Sequence, residues 1–324
     1  MSILSKAYFH DEAAAFAHVE SILWADGVVC PHCGTVDSFY KLEGVRTKAS
    51  RKNPEGVERH GLYKCGSKEC RKQFTVRKGT IFEESHLPMT KWLQAIFLMV
   101  SSKKGFSAHQ MHRVLEVQYK TAWFLCHRIR EAMRAGAFDV FGSGGGGVEI
   151  DETFIGREPG VEKKRGYGHK MKVLALVDRE TGQARSMVID SLGKATIWPI
   201  IQENVSAEAR ILTDEANHYK GVGFHYQDHR TVNHGKGEYV RLTDREIHTN
   251  TVEGYFSVFK RGMKGVYQHC AKQHLHRYLA EYDFRYNTRS ANGIEDGERA
   301  TIALRGVAGK RLTYKRPDGE IANT

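Results

Sequence analysis

Apolar positions in the middle of the chain recur at helical spacing. The pattern predicts a helix around residues 92–100 and further helices over residues 107–115 and 119–134. Ser107 stands at the start of the second segment and is a residue type that caps helix N-termini. Residues 86–138 are therefore expected to be helical. The recurring apolar positions of the first helix are Trp92, Ile96, Phe97, Met99 and Val100.

The period changes to that of β-strands after residue 147. Short apolar or β-branched runs are separated there by turn residues, and helical segments lie between some of them. This order is typical of an α/β fold with a mixed sheet. The predicted strands cover residues 148–154, 171–177, 184–189, 209–213 and 224–232. The predicted helices cover residues 196–205, 215–219 and 251–286, the last with a break near residues 262–265.

A glycine-rich run separates the two patterns. Residues 142–147 contain five glycines in six positions. Regular helices and strands do not tolerate this composition, because glycine loses much conformational freedom when it is ordered. We expect a flexible linker here and place the main domain boundary at it.

Composition and charge narrow the classes of function. The 324 residues are 40% hydrophobic and 10% aromatic, which is enough for a folded core. The net charge of +11 fits nucleic acid, an anionic membrane or an acidic protein as partner. The chain has no apolar run of about 18 residues, as a membrane-spanning helix requires. Its first residues lack a signal-peptide pattern, so a cytoplasmic protein without a membrane partner is expected.

Four of the six cysteines form two close pairs. Cys30 and Cys33 have the spacing C-x2-C, and Cys65 and Cys70 the spacing C-x4-C. Two such pairs on adjacent turns supply the four thiolates of a tetrahedral Zn²⁺ site, and a basic insert at residues 46–59 lengthens the interval between them. The alternatives are unrelated thiols or a redox C-x-x-C, which leaves the second pair unexplained. Four cysteines close the coordination shell, so the zinc would be structural.

The segments at residues 107–115 and 119–130 have the dimensions of a helix-turn-helix. Basic side chains in and around them are candidate contacts to DNA phosphates. The alternative is a solvated basic face on a helical hairpin. The candidates are Lys103, Lys104, His109, His112, Arg113, Lys120, His127, Arg128 and Arg130.

Two carboxylates lie within or directly after apolar strands. Asp151 is inside the segment predicted at residues 148–154, and Asp214 follows the strand predicted at residues 209–213. A charge there is costly unless it is paired or binds a metal. Oxygen ligands favour Mg²⁺ or Mn²⁺. The alternative is that both residues are capping or salt-bridged carboxylates.

A third ligand is expected at the start of the long helix. Glu253 and Lys260 are seven residues apart and so share a helix face, which suits a metal beside a bound phosphate. Asn250 is a second candidate for the ligand. Carboxylates that hold two metals about 3.5–4 Å apart support phosphodiester hydrolysis, and the same site can use a 3′-hydroxyl as nucleophile.

Taken in order, the motifs of the chain resemble those of the Merlin-related bacterial insertion-sequence transposases, of the ISXO-like group. The resemblance spans nearly the whole chain, including Trp24 and the cysteine pairs, and its strength lies in the series of motifs. The later motifs are DETFIG at 151–156, LTDEANHY at 212–219, VNH at 232–234, HTNTVEGYFS at 248–257, KRG at 260–262, HLHRYL at 274–279 and FRYN at 284–287. The earlier ones are GTIF at 79–82 and LPMTKW at 87–92.

This resemblance implies a ribonuclease-H-like catalytic domain with Asp151 and Asp214 as metal ligands. The third position varies in the family, so both Asn250 and Glu253 stay open, and Lys260 would contact DNA. The implied domains are a zinc-ribbon DNA-binding domain at 1–85, a helix-turn-helix-like region at 86–141, the linker at 142–147, the catalytic domain at 148–290 and a basic C-terminal tail at 291–324.

The implied activity is metal-dependent cleavage at terminal inverted repeats and strand transfer into target DNA. Double-stranded DNA is the expected partner, in the nucleoid, and a homo-oligomer is expected because two ends must meet. One alternative is a nuclease of the same fold that does not join strands. Another is a non-catalytic zinc-ribbon regulator, against which the intact acidic positions argue.

Overall fold

The computed structural model describes residues 2–313 except 52, 135, 137–138, 164, 234, 236–237, 239 and 242–243. Its chain contacts define two units, of which the first holds the described residues up to 102, 106–133 and 295–313. The second holds 103–105 and 134–294. The helices are α1 (Glu12–Leu23), α2 (Met89–Ser101), α3 (Ala108–Leu115), α4 (Tyr119–Met133), α5 (Lys194–Asn204), α6 (Asn250–Gly262), α7 (Lys272–Asn287) and α8 (Asp296–Arg305). The strands are β1 (Phe39–Leu42), β2 (Leu62–Cys65), β3 (Gln73–Phe74), β4 (Gly147–Ile155), β5 (Met171–Asp178), β6 (Ala184–Ile189), β7 (Arg210–Thr213) and β8 (Asp228–Thr231).

The first unit begins with a helix and a small antiparallel sheet of order β1-β2-β3. Asp11 caps α1 by accepting a hydrogen bond from the amide of Ala14. Trp24, just after α1, packs edge-on against Tyr63 and Phe74 of the sheet. These aromatic contacts supply the apolar core that so small a sheet lacks on its own.

Helices α2, α3, α4 and α8 complete the first unit. The predicted cap is confirmed, because the Ser107 hydroxyl accepts a hydrogen bond from the amide of Gln110. Helix α8 packs against α2, and the amide of Ile81 donates to the carbonyl of Val307. Residues 296–313 thus belong to the folded unit, whereas the sequence suggested a basic tail from 291. Residues 314–324 of that tail lie outside the described residues.

The second unit is built on a mixed sheet of order β6-β5-β4-β7-β8. Strands β4, β5 and β6 are antiparallel, while β7 and β8 run parallel to β4. One face packs on α6 and α7 and the other on α5, so the strands are buried on both sides. The predicted ribonuclease-H-like α/β architecture is confirmed.

Two predicted elements of the second unit are shorter than expected. The helix expected at 215–219 is a single 3₁₀ turn, Asn217–Tyr219. The strand expected at 224–232 is reduced to β8, after a 3₁₀ turn at Val222–His225. The long C-terminal helix is broken where predicted, by a π-turn at Met263–Tyr267. A Cβ at Gly262 would lie 1.6 Å from the Tyr282 hydroxyl, so the close approach of α6 and α7 requires glycine.

The glycine run at 142–147 is an ordered turn, not the flexible linker that its composition suggested. The amide of Gly142 donates to the Asp178 carboxylate at 2.8 Å, and that of Gly144 to the Glu208 carboxylate at 2.9 Å. Three of the glycines have positive φ, and Gly147 opens β4. The run therefore anchors the central strand to its neighbours. No helix in the described part of the chain is long and apolar enough to cross a membrane.

Candidate active site

The two aspartates lie at corresponding positions of neighbouring parallel strands. Pairing between β4 and β7 ends at Glu149 and Leu212. Asp151 and Asp214 each come two residues later, so both carboxylates reach the same end of the sheet. Here β7 has ended while β4 continues along β5 to Ile155, which leaves room beside Asp151.

Helix α6 brings the predicted acid and lysine to Asp151. Asp151, Glu253 and Lys260 line one cleft of 440 Å³. The seven-residue spacing thus places Glu253 and Lys260 on one face of α6, as the sequence predicted. Asp214 is not part of this cleft lining, but its charge acts on Asp151.

Burial and mutual repulsion dominate the electrostatics of these carboxylates. Burial raises the pKa of Asp151 to about 8, with further increases from the charges of Glu152, Asp214 and Glu253. Burial also raises the pKa of Asp214, again helped by Glu152. The pKa of Lys260 is lowered by its own burial, although Asp151 acts in the opposite direction. The acids therefore repel one another, and burial disfavours their charged forms unless a cation is bound.

This donor set fits a hard divalent cation. Carboxylate oxygens are the ligands that Mg²⁺ and Mn²⁺ take, and a bound cation would relieve the repulsion among the acids. Among the described residues, the only group of at least three ligand atoms within 4.8 Å of one another is formed by cysteines. The carboxylates are more widely spaced than the cysteines.

Asn250, the other candidate for the third ligand, has a different environment. It is exposed at the first position of α6. Its backbone amide donates to Nδ1 of His248 at 3.3 Å, and Asn250 does not line the cleft. The geometry therefore favours Glu253 over Asn250.

A buried glutamate that sequence reasoning passed over anchors the start of α6. Glu149 is 0% exposed and accepts hydrogen bonds from the amides of Thr251 and Val252 at 2.8 and 2.9 Å. It also pairs with Arg179 at 2.6 Å. The start of α6 is thus capped by a carboxylate from β4, two residues before Asp151. The position of Glu149 in an apolar strand could have drawn attention to it in the sequence. The sequence does not show which element it contacts.

Glu152 is a further acidic residue at this end of the sheet. It accepts hydrogen bonds from the Tyr219 hydroxyl at 2.7 Å and from His218 at 3.3 Å. Both donors belong to the motif that follows Asp214. These bonds connect the two aspartate-bearing segments. His234, quoted from a neighbouring motif, lies outside the described residues.

The cysteine pairs form a compact cluster in the first unit. The Sγ atoms of Cys30, Cys33, Cys65 and Cys70 all lie within 4.8 Å of one another. The Sγ–Sγ distances are 3.9 Å for Cys30–Cys70 and 3.6 Å for Cys33–Cys65. Tetrahedral Zn–S bonds of about 2.3 Å imply an Sγ–Sγ distance of about 3.8 Å, which is close to both values. Gly34 has φ +75° and its amide donates to the Cys30 carbonyl, which forms the first knuckle. The cluster is consistent with a structural zinc site.

The basic residues predicted to contact DNA fall into two groups. Arg113 and Lys120 are exposed on α3 and α4, and Lys103 and Lys104 are exposed in the second unit. The other two candidate arginines, Arg128 and Arg130, are buried in α4, and so is His127.

Arg128 and Arg130 were wrongly expected to be surface contacts, since they are only 6% and 2% exposed. The Arg128 guanidinium donates to the carbonyls of Ile81, Glu83 and Leu312. It therefore holds the first unit together.

Comparison with known proteins agrees with this arrangement. Residues 144–287 match the ISXO2-like transposase domain, and residues 10–73 match the transposase zinc-ribbon domain. The chain is also 26% identical over 297 residues to a protein of Halobacterium salinarum described as an uncharacterized protein in transposable element ISH50. That alignment covers 86% of this chain and 91% of the relative.

Proposed function

We propose, from the premise that this chain carries an ISXO2-like transposase domain behind a transposase zinc ribbon, that it cleaves DNA at the ends of an insertion sequence and joins them to target DNA. The observation that carries the proposal is the convergence of Asp151, Glu253 and Lys260 in one cleft, with Asp214 beside Asp151. We assign Asp151, Asp214 and Glu253 as ligands of Mg²⁺ or Mn²⁺.

Each side chain has a role that its position supports. Bound divalent metal would supply an activated nucleophile and stabilise the leaving oxygen. The three carboxylates would hold the cations at the place where the phosphodiester must enter. Lys260 offers its ammonium to a phosphate oxygen from the same face of α6 as Glu253. Glu149 fixes the helix that carries Glu253 and Lys260.

Joining needs no second site. The cleft is open, so a 3′-hydroxyl of DNA can replace water as the nucleophile once the first cut is made. The zinc ribbon and the α3–α4 pair would hold the duplex, because exposed Arg113 and Lys120 suit phosphate contacts. A homo-oligomer would bring two ends together.

Pre-cut DNA separates a transposase from a nuclease. Purified full-length chain is incubated with Mg²⁺, a supercoiled target and labelled duplexes taken from the sequences that flank the coding region. Labelled ends joined to the target are expected, and Asp151→Asn should abolish both joining and cleavage while the variant still binds DNA. Hydrolysis without joined product would contradict the proposal and favour the nuclease. The matched control is Asp190→Asn, which removes an exposed acid paired with Lys272.

A further inference from the structure

A second cavity adjoins the catalytic cleft. It has a volume of 540 Å³ and lies wholly within the second unit. Its lining shares Glu152, Thr153, Lys260 and Lys264 with that of the cleft. The proposed metal ligands Asp151, Asp214 and Glu253 do not line it, and the proposed chemistry does not use it.

One wall of the cavity is aromatic. The rings of Phe154 and Tyr167 are stacked, with centroids 4.7 Å apart and planes 11° from parallel. Tyr167 is nevertheless 59% exposed, so part of its ring stays open to solvent. Phe154 supports the Tyr167 ring from one face. Ile155, Met171 and Met263 add apolar surface to the lining.

The remaining lining is basic. The lysines at 170, 260 and 264 all face this cavity. The charges of Lys264 and Lys170 add to burial in lowering the pKa of Lys260, so each of these two ammonium groups is close enough to repel that of Lys260. The Lys170 ammonium lies 5.1 Å from the centroid of the Tyr167 ring. Three clustered cations beside a flat apolar surface suit a ligand that is both planar and anionic.

We propose that this cavity binds an unpaired nucleotide of the DNA strand next to the phosphate being cut or joined. The base lies against Tyr167, and its phosphates contact Lys170 and Lys264. The long Lys170 side chain rotates away from the ring to make room. This inference rests on the proposed function, because only DNA held in the catalytic cleft would place a nucleotide here.

An unpaired nucleotide fits better than intact duplex. In a duplex both faces of a base are covered by its neighbours, so a protein ring can stack only on a base that has left the helix. The volume is within the range of about 300–1,000 Å³ that is usual for small-molecule sites. Aromatic stacking beside basic groups is also how proteins hold single strands without reading their sequence. The site would therefore favour frayed or single-stranded DNA at the cleavage point.

The test compares three duplexes of identical paired sequence, without added Mg²⁺. One is blunt, one carries a short thymidine overhang, and one carries an overhang of abasic residues. Fluorescence anisotropy with the full chain should show that the thymidine overhang binds about tenfold more tightly than the other two. Tyr167→Ala should lose this preference and Tyr167→Phe should keep it. Phe224→Ala, which removes a 92% exposed ring of the second unit that lines neither cavity, should keep the wild-type preference.

Photocrosslinking locates the base. A 5-iodouracil in the overhang should crosslink to Tyr167 or Phe154, as identified by mass spectrometry of the peptides. Equal affinity for thymidine and abasic overhangs, or unchanged preference in Tyr167→Ala, would overturn the inference. These results are independent of strand cleavage. A chain that joins DNA but shows no base preference would contradict only the cavity assignment, whereas one that cuts nothing with Mg²⁺ or Mn²⁺ would contradict the proposed function.

Discussion

The cysteine cluster fits a zinc ion and the carboxylate cleft is proposed to bind divalent metal, but the two sets of ligands are arranged in opposite ways. The four Sγ atoms of the ribbon already stand at tetrahedral separations, held by turns within each pair. The carboxylates come from two strands and a helix that are distant in sequence, and they stay apart. Local turns complete the first site, while the second depends on long-range packing.

This difference separates structural from chemical use of a metal. A closed shell of four thiolates leaves no position for a substrate, so the ribbon's metal can only stabilise the fold. A widely spaced set of acids beside Lys260 leaves room for water, a hydroxyl and a phosphate. If this difference holds, substitutions in the cleft should abolish cleavage and leave DNA binding intact. Substitutions in the ribbon should weaken DNA binding and leave cleavage intact.

The largest effect is expected from Glu253, and it should be compared with Asn250. Glu253→Gln keeps the shape of the side chain but removes a ligand charge, so cleavage should fall by about a thousandfold, the equivalent of several kcal/mol. Asn250→Ala should change cleavage little, because Asn250 is exposed outside the cleft. Cleavage rates at saturating DNA measure both. A thousandfold loss in Asn250→Ala with normal Glu253→Gln would reverse the assignment of the third ligand.

The next effect concerns the zinc site. Cys30→Ser removes one thiolate from a cluster whose metal supplies much of the local folding energy. We expect bound zinc to fall from about one ion per chain to near zero, with a marked loss of DNA affinity. Elemental analysis and anisotropy measure the two quantities. Cys270→Ser, outside the cluster, is the control for zinc content. Full zinc content in Cys30→Ser would contradict the assignment of the cysteine cluster as a zinc site.

Substitution of Glu149 tests whether the carboxylate cleft depends on contacts between residues that are distant in sequence. Glu149→Gln weakens the cap of α6 and the pair with Arg179, so the helix that carries Glu253 loses its fixed position. Loss of such outer-shell support costs about 10- to 100-fold. The expected signature is slower cleavage together with a higher Mg²⁺ concentration at half-maximal rate, measured well below the unfolding temperature.

A control variant and a thermal melt separate this role from simple destabilisation. Glu208→Gln removes an exposed acid that accepts a hydrogen bond from Gly144 in the same unit, and it should leave the Mg²⁺ requirement unchanged. A Glu149→Gln variant that melts earlier but keeps a normal Mg²⁺ requirement would mean that Glu149 only stabilises the fold.

Sequence predicts the framework of the second unit well. The strands that carry Asp151 and Asp214 were predicted close to their bounds, because a buried strand is a local apolar run. The spacing of Glu253 and Lys260 likewise determines a shared helix face. The cap of α6 was not predictable, since Glu149 reaches it from a strand about a hundred residues earlier.

The errors share a physical cause. The glycine run is ordered by acceptors at Asp178 and Glu208, which local composition does not reveal. Arg128 was assigned to the surface by its charge, yet three backbone carbonyls satisfy it inside the first unit. The segment from 296 was read as a tail although it supplies a helix that packs on α2. In each case tertiary partners override a local signal.

The smallest expected effect sharpens the binding side of the comparison. Arg113→Ala removes one exposed charge from the α3–α4 pair, so a few-fold loss of DNA affinity is expected, with the slope of log affinity against log salt reduced by about one. Arg305→Ala, an equal loss of an exposed charge on α8, should leave that slope unchanged. Cleavage at saturating DNA should be normal in both variants, because neither residue is in the second unit. If Arg113→Ala instead slows cleavage at saturation with an unchanged salt slope, then binding and chemistry are not divided between the two units as their metal sites suggest.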